Sequence, residues 1–135
     1  MSEVSALLRM ARQSSKKQIQ AIHEGLPAGT FNAMASYLGV SQGQLAGSLS
    51  ILPRTLRNRS AQGKLNREES EKSLRVARIF AKAHDVLGGE KKAKAWMISP
   101  VKSLGDRKPI DLLETDIGAQ EVLNVLLAIA WGVYL

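Results

Sequence analysis

The sequence contains no cysteine, and aromatic side chains make up only 4% of its 135 residues. Without cysteine the chain cannot form a disulfide framework, a thiolate zinc site or a cysteine nucleophile. The two histidines, His23 and His84, lie too far apart in sequence to show a metal-ligand spacing. The scarcity of aromatics means that any core is aliphatic, and 44% hydrophobic residues are enough to form one.

Catalytic and membrane-spanning patterns are also missing from the sequence. It has no Gly-rich phosphate loop, no ordered Ser-His-Asp set and no supported carboxylate pair, so we expect no enzymatic activity, cofactor or metal. The first residues carry no signal-peptide core. The longest apolar run, residues 122–135, has 14 residues, whereas a bilayer-spanning helix needs about 20. We therefore expect a cytoplasmic protein that does not enter a membrane.

Positive charge is concentrated in the first half of the chain, whose overall net charge is +7. Residues 1–65 contain 8 basic and 2 acidic side chains, residues 66–98 contain 8 and 5, and residues 99–135 contain 3 and 5. A basic half indicates a polyanionic partner, with nucleic acid first and an anionic membrane surface second. The alternative is that the excess charge serves solubility alone.

The hydrophobic periodicity predicts an all-α fold, because strand-like alternation and hairpin turns are missing. Proline, glycine and capping residues delimit the helices. On the longest of them, Leu74, Ala77, Phe80, Ala81 and Leu87 mark the expected buried stripe. The predicted helices cover residues 4–24 with a division at Ser14-Ser15, 31–38, 41–49, 53–59, 66–87, 91–98 and 115–132.

Residues 41–59 follow a helix, three-residue turn, helix pattern. The small Ala46 permits close helix crossing, and Ile51 and Leu56 are placed to hold the two helices together. This is the pattern of a helix-turn-helix, whose second helix enters the major groove of DNA. The turn departs from the usual pattern at position 50, where Ser50 replaces the common glycine.

The second helix of this motif is strongly polar. Arginine can bind guanine through a bidentate fork, and asparagine can bind adenine in the same way. We therefore predict DNA binding by Arg54, Thr55, Arg57, Asn58, Arg59 and Lys64, with Thr55, Gln62 and Lys64 suited to phosphates. A solvated basic helix in an ordinary bundle is the alternative. A second basic row, Arg75, Arg78 and Lys82, fits a solvated helix face better than a phosphate contact.

The apolar run at residues 122–135 needs cover on nearly every side, because it is hydrophobic all round. Trp131, Tyr134 and Leu135 lie at the very end of this run, where chains are usually polar. Two interpretations remain open from the residues alone. Either this segment inserts into a partner, or it is a buried core helix whose end folds back.

The sequence resembles the Xre antitoxins of RES–Xre toxin–antitoxin systems, in the Xre/MbcA/ParS-like family. The resemblance covers residues 25–135 and is most specific in the second half. Asp106 stands where the family often has a second glycine, and Ser99 where it often has another small polar residue. The matching residues include Gly25-Leu26-Pro27, Phe31, Leu38-Gly39-Val40-Ser41, Leu45-Ala46, Ile51, Pro53-Arg54-Thr55-Leu56, Trp96, Pro100, Leu104-Gly105, Pro109, Leu112-Leu113, Thr115, Gly118 and Gly132-Val133-Tyr134.

The resemblance implies a Cro-type helix-turn-helix unit followed by a small helical unit for toxin binding and dimerisation. The Gly88-Gly89 break sets the boundary, so we expect the first unit, with an N-terminal extension, over residues 1–88 and the second over residues 89–135. It implies that the chain neutralises a RES-domain, NAD-consuming toxin by blocking its active site, represses its own operon at operator DNA, and forms a homodimer or larger hetero-oligomer. A stand-alone regulator without a toxin is the main alternative, and a purely structural oligomeriser is a third. The implied toxin-binding residues are Trp131, Gly132, Val133, Tyr134 and Leu135.

Overall fold

The computed structural model describes residues 3–132, which contain no β-sheet, so the all-α prediction is confirmed. No helix in this range is long and apolar enough to cross a bilayer. Two short 3-10 turns, Lys102–Leu104 and Pro109–Leu112, precede the last helix. The eight α-helices of residues 3–132 are α1 (Glu3–Ala11), α2 (Ser15–Glu24), α3 (Gly29–Leu38), α4 (Gln42–Ser48), α5 (Pro53–Gln62), α6 (Arg67–Leu87), α7 (Glu90–Met97) and α8 (Asp116–Ala130).

Polar side chains cap the starts of α2, α4 and α6, and the last two caps are those that the sequence predicts. The Ser14 hydroxyl caps α2 and separates it from α1. Ser41 and Gln44 form a reciprocal capping box at α4, since each side chain accepts from the backbone N–H of the other. Asn66 and Glu69 do the same at α6. Each cap satisfies otherwise unpaired amides and contributes about 1 kcal/mol.

Helix α6 is the central element of the fold and packs against α1, α2, α7 and α8. Its 21 residues span about 32 Å. The predicted stripe of Leu74, Ala77, Phe80 and Ala81 is buried, whereas Leu87 is only half-buried. Because α6 touches elements from both halves of the chain, one aliphatic core extends from Leu7 on α1 to Leu126 on α8.

Arg75 does not lie on a solvated face, and the sequence interpretation of this residue was wrong. Its side chain is 10% exposed. The Nη1 atom donates to the carbonyl oxygens of Leu113 at 3.0 Å and Glu114 at 3.1 Å, and Nη2 donates to Asp116 Oδ1 at 2.7 Å. Arg78, on the same helix, is exposed as predicted. Arg75 therefore fastens the segment that leads into α8 to the central helix.

The start of α8 packs directly against the backbone of the preceding 3-10 turn. Thr115 Oγ1 accepts from the Gly118 N–H at 3.0 Å, which is the predicted cap. A Cβ atom on Gly118 would lie 1.9 Å from the carbonyl oxygen of Leu112. Only glycine permits this approach, so Gly118 and Thr115 together fix where α8 begins.

Tyr37 joins α3 to α6 and α7. Its ring meets Phe80 edge-on with centroids 5.4 Å apart, and Lys94 Nζ lies 4.0 Å from the Tyr37 centroid. Burial, followed by a hydrogen bond to Glu90, raises the pKa of Tyr37 to about 12. A hydrogen bond from Lys94, followed by that from Tyr37, lowers the pKa of Glu90. The phenol therefore stays protonated and donates to an ionised carboxylate near neutral pH.

Candidate functional site

Helices α4 and α5 form the predicted helix-turn-helix. One core cluster buries Leu45 and Ala46 on α4, Ile51 in the turn and Leu56 on α5. The Ile51 N–H donates to the carbonyl oxygen of Ala46 at 2.8 Å, which closes the turn. Pro53 occupies the first turn of α5, where its missing N–H leaves no helical bond unmade. These contacts fix the angle at which α5 is presented.

Two residues that stand where glycine is usual adopt the left-handed backbone conformation. Ser50 has a φ of 55° and Asp106 a φ of 61°. For Ser50 this conformation costs about 1 kcal/mol relative to glycine. The departures noted in the sequence therefore keep the glycine-like turn shape.

Side chains of the C-terminal half hold the turn of the helix-turn-helix. The Ser50 hydroxyl donates to a carboxylate oxygen of Glu114. The Ser48 hydroxyl donates to Asp111 Oδ1 at 2.6 Å. The sequence showed no sign of either contact, because the partners lie 64 and 63 residues apart. The helix-turn-helix is thus bonded to the segment that precedes α8.

Three of the six predicted DNA-binding residues are fully available on α5. Arg54, Arg57 and Asn58 are exposed on the outer face of this helix. Within residues 3–132, no ion pair or side-chain hydrogen bond engages any of them. Two guanidinium forks and one carboxamide are therefore free to meet base edges or phosphates.

Arg59 is engaged within the protein. Its Nε donates to Glu69 Oε1 at 2.8 Å, and its Nη1 donates to Gln62 at 2.9 Å. The Glu69 side chain is 5% exposed and also closes the capping box of α6. Arg59 thus compensates a buried carboxylate and ties α5 to α6, a role that sequence reasoning did not find.

Thr55 and Lys64 differ in position from the exposed trio. Thr55 is half-buried and borders a cavity of about 300 Å³ together with Arg59 and Lys72. Lys64 is exposed beyond the C-terminal end of α5, where its backbone pairs with Pro27. Since α5 has 10 residues, Lys64 lies roughly 15 Å or more from the N-terminal end of α5, measured along the helix axis.

The last helix is covered on one side by the core, and its C-terminal part carries further apolar residues that are only half-buried. Val122, Val125 and Leu126 are buried, whereas Trp131 at its end is 82% exposed. Gly132 is exposed beside it. Further half-buried apolar residues on this helix are Leu123, Leu127, Ala128 and Ile129. The predicted toxin-binding residues Val133, Tyr134 and Leu135 lie outside the described residues.

These features define a class of protein: a helix-turn-helix unit joined through one long helix to a second helical unit that ends in an exposed tryptophan. Family models match both parts. Residues 17–78 match the antitoxin Xre-like helix-turn-helix domain, and residues 82–132 match the antitoxin Xre/MbcA/ParS C-terminal toxin-binding domain. Helix α1 precedes both matches.

Individual relatives agree with these models. The chain is 33% identical to antitoxin Xre of Yersinia enterocolitica over 118 residues, which are 86% of this chain and 80% of the relative. It is 32% identical to antitoxin Xre of Photorhabdus laumondii over 123 residues, 89% and 83% of the two chains. The fold is similar to a chain of the M. tuberculosis MbcT–MbcA toxin–antitoxin complex, with a TM-score of 0.55, 27% identity and coverage of 80% of this chain and 96% of that chain. The chain belongs to the Xre antitoxin family.

Proposed function

We propose that this antitoxin binds a RES-domain, NAD-consuming toxin and blocks its active site with its C-terminal end. The observation that carries the proposal is the 82% exposure of Trp131 at the end of an apolar helix. Large exposed aromatics are costly to leave in water and are typical anchors in a partner's pocket. The match of residues 82–132 to a toxin-binding domain supports the same surface.

The proposed inhibition is steric. A tail that fills the entrance of the toxin's cleft excludes the dinucleotide without any bond being made or broken by the antitoxin. Gly132 follows Trp131 with a φ of 74°, a left-handed conformation that is incompatible with continuing the helix. On this proposal Trp131 and Gly132 lie at the entrance, and Val133, Tyr134 and Leu135 continue into the cleft.

Changing Trp131 to alanine is expected to weaken toxin binding by about 2 kcal/mol, or roughly thirtyfold in Kd. The free energy of unfolding should change by less than about 0.5 kcal/mol, because the indole is exposed. Isothermal titration calorimetry and urea denaturation measure the two quantities. Ile19→Ala removes another exposed apolar side chain, on α2, and serves as the control.

Two results would contradict this proposal. Unchanged toxin affinity in Trp131→Ala, together with unchanged inhibition after deletion of Tyr134 and Leu135, would exclude the C-terminal end as the blocking element. Absence of any stable complex on co-expression with a RES-domain protein would exclude toxin binding and leave the stand-alone regulator as the remaining hypothesis. If a complex forms, light scattering determines whether it contains the expected homodimer or larger assembly.

We further propose that the antitoxin represses its own operon through α5. The exposed Arg54, Arg57 and Asn58 supply the side chains that read guanine and adenine in the major groove. Thr55 and Lys64 are assigned to phosphates at the two ends of the helix. Arg59 holds α5 on α6 through Glu69, so its contribution to DNA binding is to position the helix.

The variants Arg57→Ala and Arg59→Ala should separate these roles. We expect Arg57→Ala to cost about 1–3 kcal/mol of operator affinity with unchanged stability. Arg59→Ala should instead lower the free energy of unfolding by about 1–3 kcal/mol, because the buried carboxylate of Glu69 loses its charged partner. Fluorescence anisotropy at fixed salt and urea denaturation check the two effects.

Lys92→Ala removes one exposed positive charge from α7 and is the control for a general electrostatic effect. Equal losses of operator affinity in Arg57→Ala and Lys92→Ala would indicate that positive charge attracts the DNA non-specifically and that Arg57 does not recognise bases. An operator affinity in Arg57→Ala equal to that of the unmodified protein would exclude α5 as the reading helix.

A further inference from the structure

The segment of residues 108–114 lies against the helix-turn-helix, although it belongs to the toxin-binding part of the chain. Ile110 is buried in the common core. Asp111 accepts from Ser48 at 2.6 Å, and Glu114 accepts from Ser50. Two side-chain hydrogen bonds and three buried residues, Pro109, Ile110 and Leu113, thus fix the position of this segment relative to the helix-turn-helix.

Lys108 begins this segment and borders α4. Together with Gln44, Ser48 and Asp111 it lines a surface cavity of about 210 Å³. Its carbonyl oxygen accepts from the Asp111 N–H at 3.0 Å, so its backbone is held at the start of the 3-10 turn. The side chain is exposed, and no ion pair engages it within residues 3–132. The ammonium group is therefore free to bind an anion, and the fixed backbone limits how far from α4 it can reach.

The position of Lys108 matters because of how a helix-turn-helix docks. When the second helix enters the major groove, the first helix crosses the sugar–phosphate backbone. Here the first helix is α4, and Lys108 lies on the side of α4 that carries Gln44 and Ser48. Docking with this side of α4 on the sugar–phosphate backbone would bring the Lys108 ammonium group towards the phosphates.

We propose that the toxin-binding unit contributes Lys108 to the DNA interface as a phosphate contact. This proposal rests on the operator binding proposed above and extends that interface beyond the helix-turn-helix. A phosphate contact carries no base information, so its effect is the same on operator and unrelated duplexes. Asp111, the carboxylate in the same cavity, opposes the contact by its charge.

Anisotropy titrations of the full-length protein over a salt series test the proposal, with two duplexes: the region upstream of the chain's own gene and an unrelated sequence of equal length. Loss of one phosphate contact makes the slope of log Kobs against log salt concentration shallower by about 0.9. At 0.1 M salt this corresponds to roughly an eightfold loss of affinity. We expect this change in Lys108→Ala with both duplexes, and recovery in Lys108→Arg. Asp111→Asn keeps an acceptor for Ser48 and should tighten binding to both.

Lys92→Ala, which removes an exposed charge from α7, should leave the salt slope unchanged. A salt slope in Lys108→Ala equal to that of the unmodified protein, while Arg57→Ala loses operator affinity, would overturn the role of Lys108 and leave operator binding intact. If neither duplex is bound by the unmodified protein, the proposed repression itself fails. A loss of toxin affinity in Lys108→Ala without any change on DNA would assign the residue to the toxin interface and overturn the proposal.

Discussion

Replacing Gly118 with alanine should detach α8 from the position it holds on the core. The added Cβ would lie 1.9 Å from the carbonyl oxygen and 2.9 Å from the carbonyl carbon of Leu112. These are backbone atoms of a 3-10 turn and cannot move aside as a flexible side chain would. We expect the free energy of unfolding to fall by about 3 kcal/mol, measured by urea denaturation followed by circular dichroism.

Gly47 on α4 provides the matched control. A Cβ there meets nothing within 4 Å, so Gly47→Ala should gain about 0.5–1 kcal/mol from helix propensity. The same substitution therefore changes stability in opposite directions at two helical glycines. Equal stabilities of Gly118→Ala and the unmodified protein would mean that α8 does not begin against Leu112.

Replacing Arg75 with alanine should have an effect of similar size. The guanidinium satisfies the buried carbonyl oxygen of Leu113 and the adjacent carbonyl of Glu114. Its loss leaves these acceptors unpaired and removes a packed aliphatic stem, so we expect a cost of about 3 kcal/mol. The ion pair with Asp116 adds little, because that carboxylate is largely exposed. Urea denaturation measures the change.

Two companion variants separate the contributions to this loss. Arg75→Met keeps most of the buried stem and removes the donors, so the difference between methionine and alanine reports on packing. Arg78→Ala removes the same charge from an exposed position on α6 and should change stability by less than about 0.5 kcal/mol. Equal effects of Arg75→Ala and Arg78→Ala would contradict the buried role of Arg75.

Local structure was predictable because its signals are local. Capping pairs three residues apart, such as Ser41 with Gln44, show where helices start, and glycine at the ends shows where they stop. The same applies to the helix-turn-helix, whose contacts between Ala46, Ile51 and Leu56 span only ten residues. The boundaries of α7 and α8 differ from the predicted ones by one or two residues, as expected for helix ends.

The site was predictable only in part, because a residue's availability depends on distant segments. Arg57 and Arg59 look alike in sequence, yet only Arg59 meets a buried carboxylate supplied by α6. Arg75 appears solvated until the loop 38 residues later folds across it. The hydrogen bond of Ser50 to Glu114 joins residues 64 positions apart. Helical periodicity cannot predict any of these pairings, because each joins residues on different elements.

The sharing of α6 has a consequence for the lifetime of the protein in a cell. One helix forms a wall of the core beneath both the helix-turn-helix and the last helix. We therefore expect the two parts of the chain to unfold together, so that proteolysis leaves no stable fragment that keeps one surface and loses the other. Under the two functions proposed above, turnover of the molecule would release the operon and the toxin in the same event.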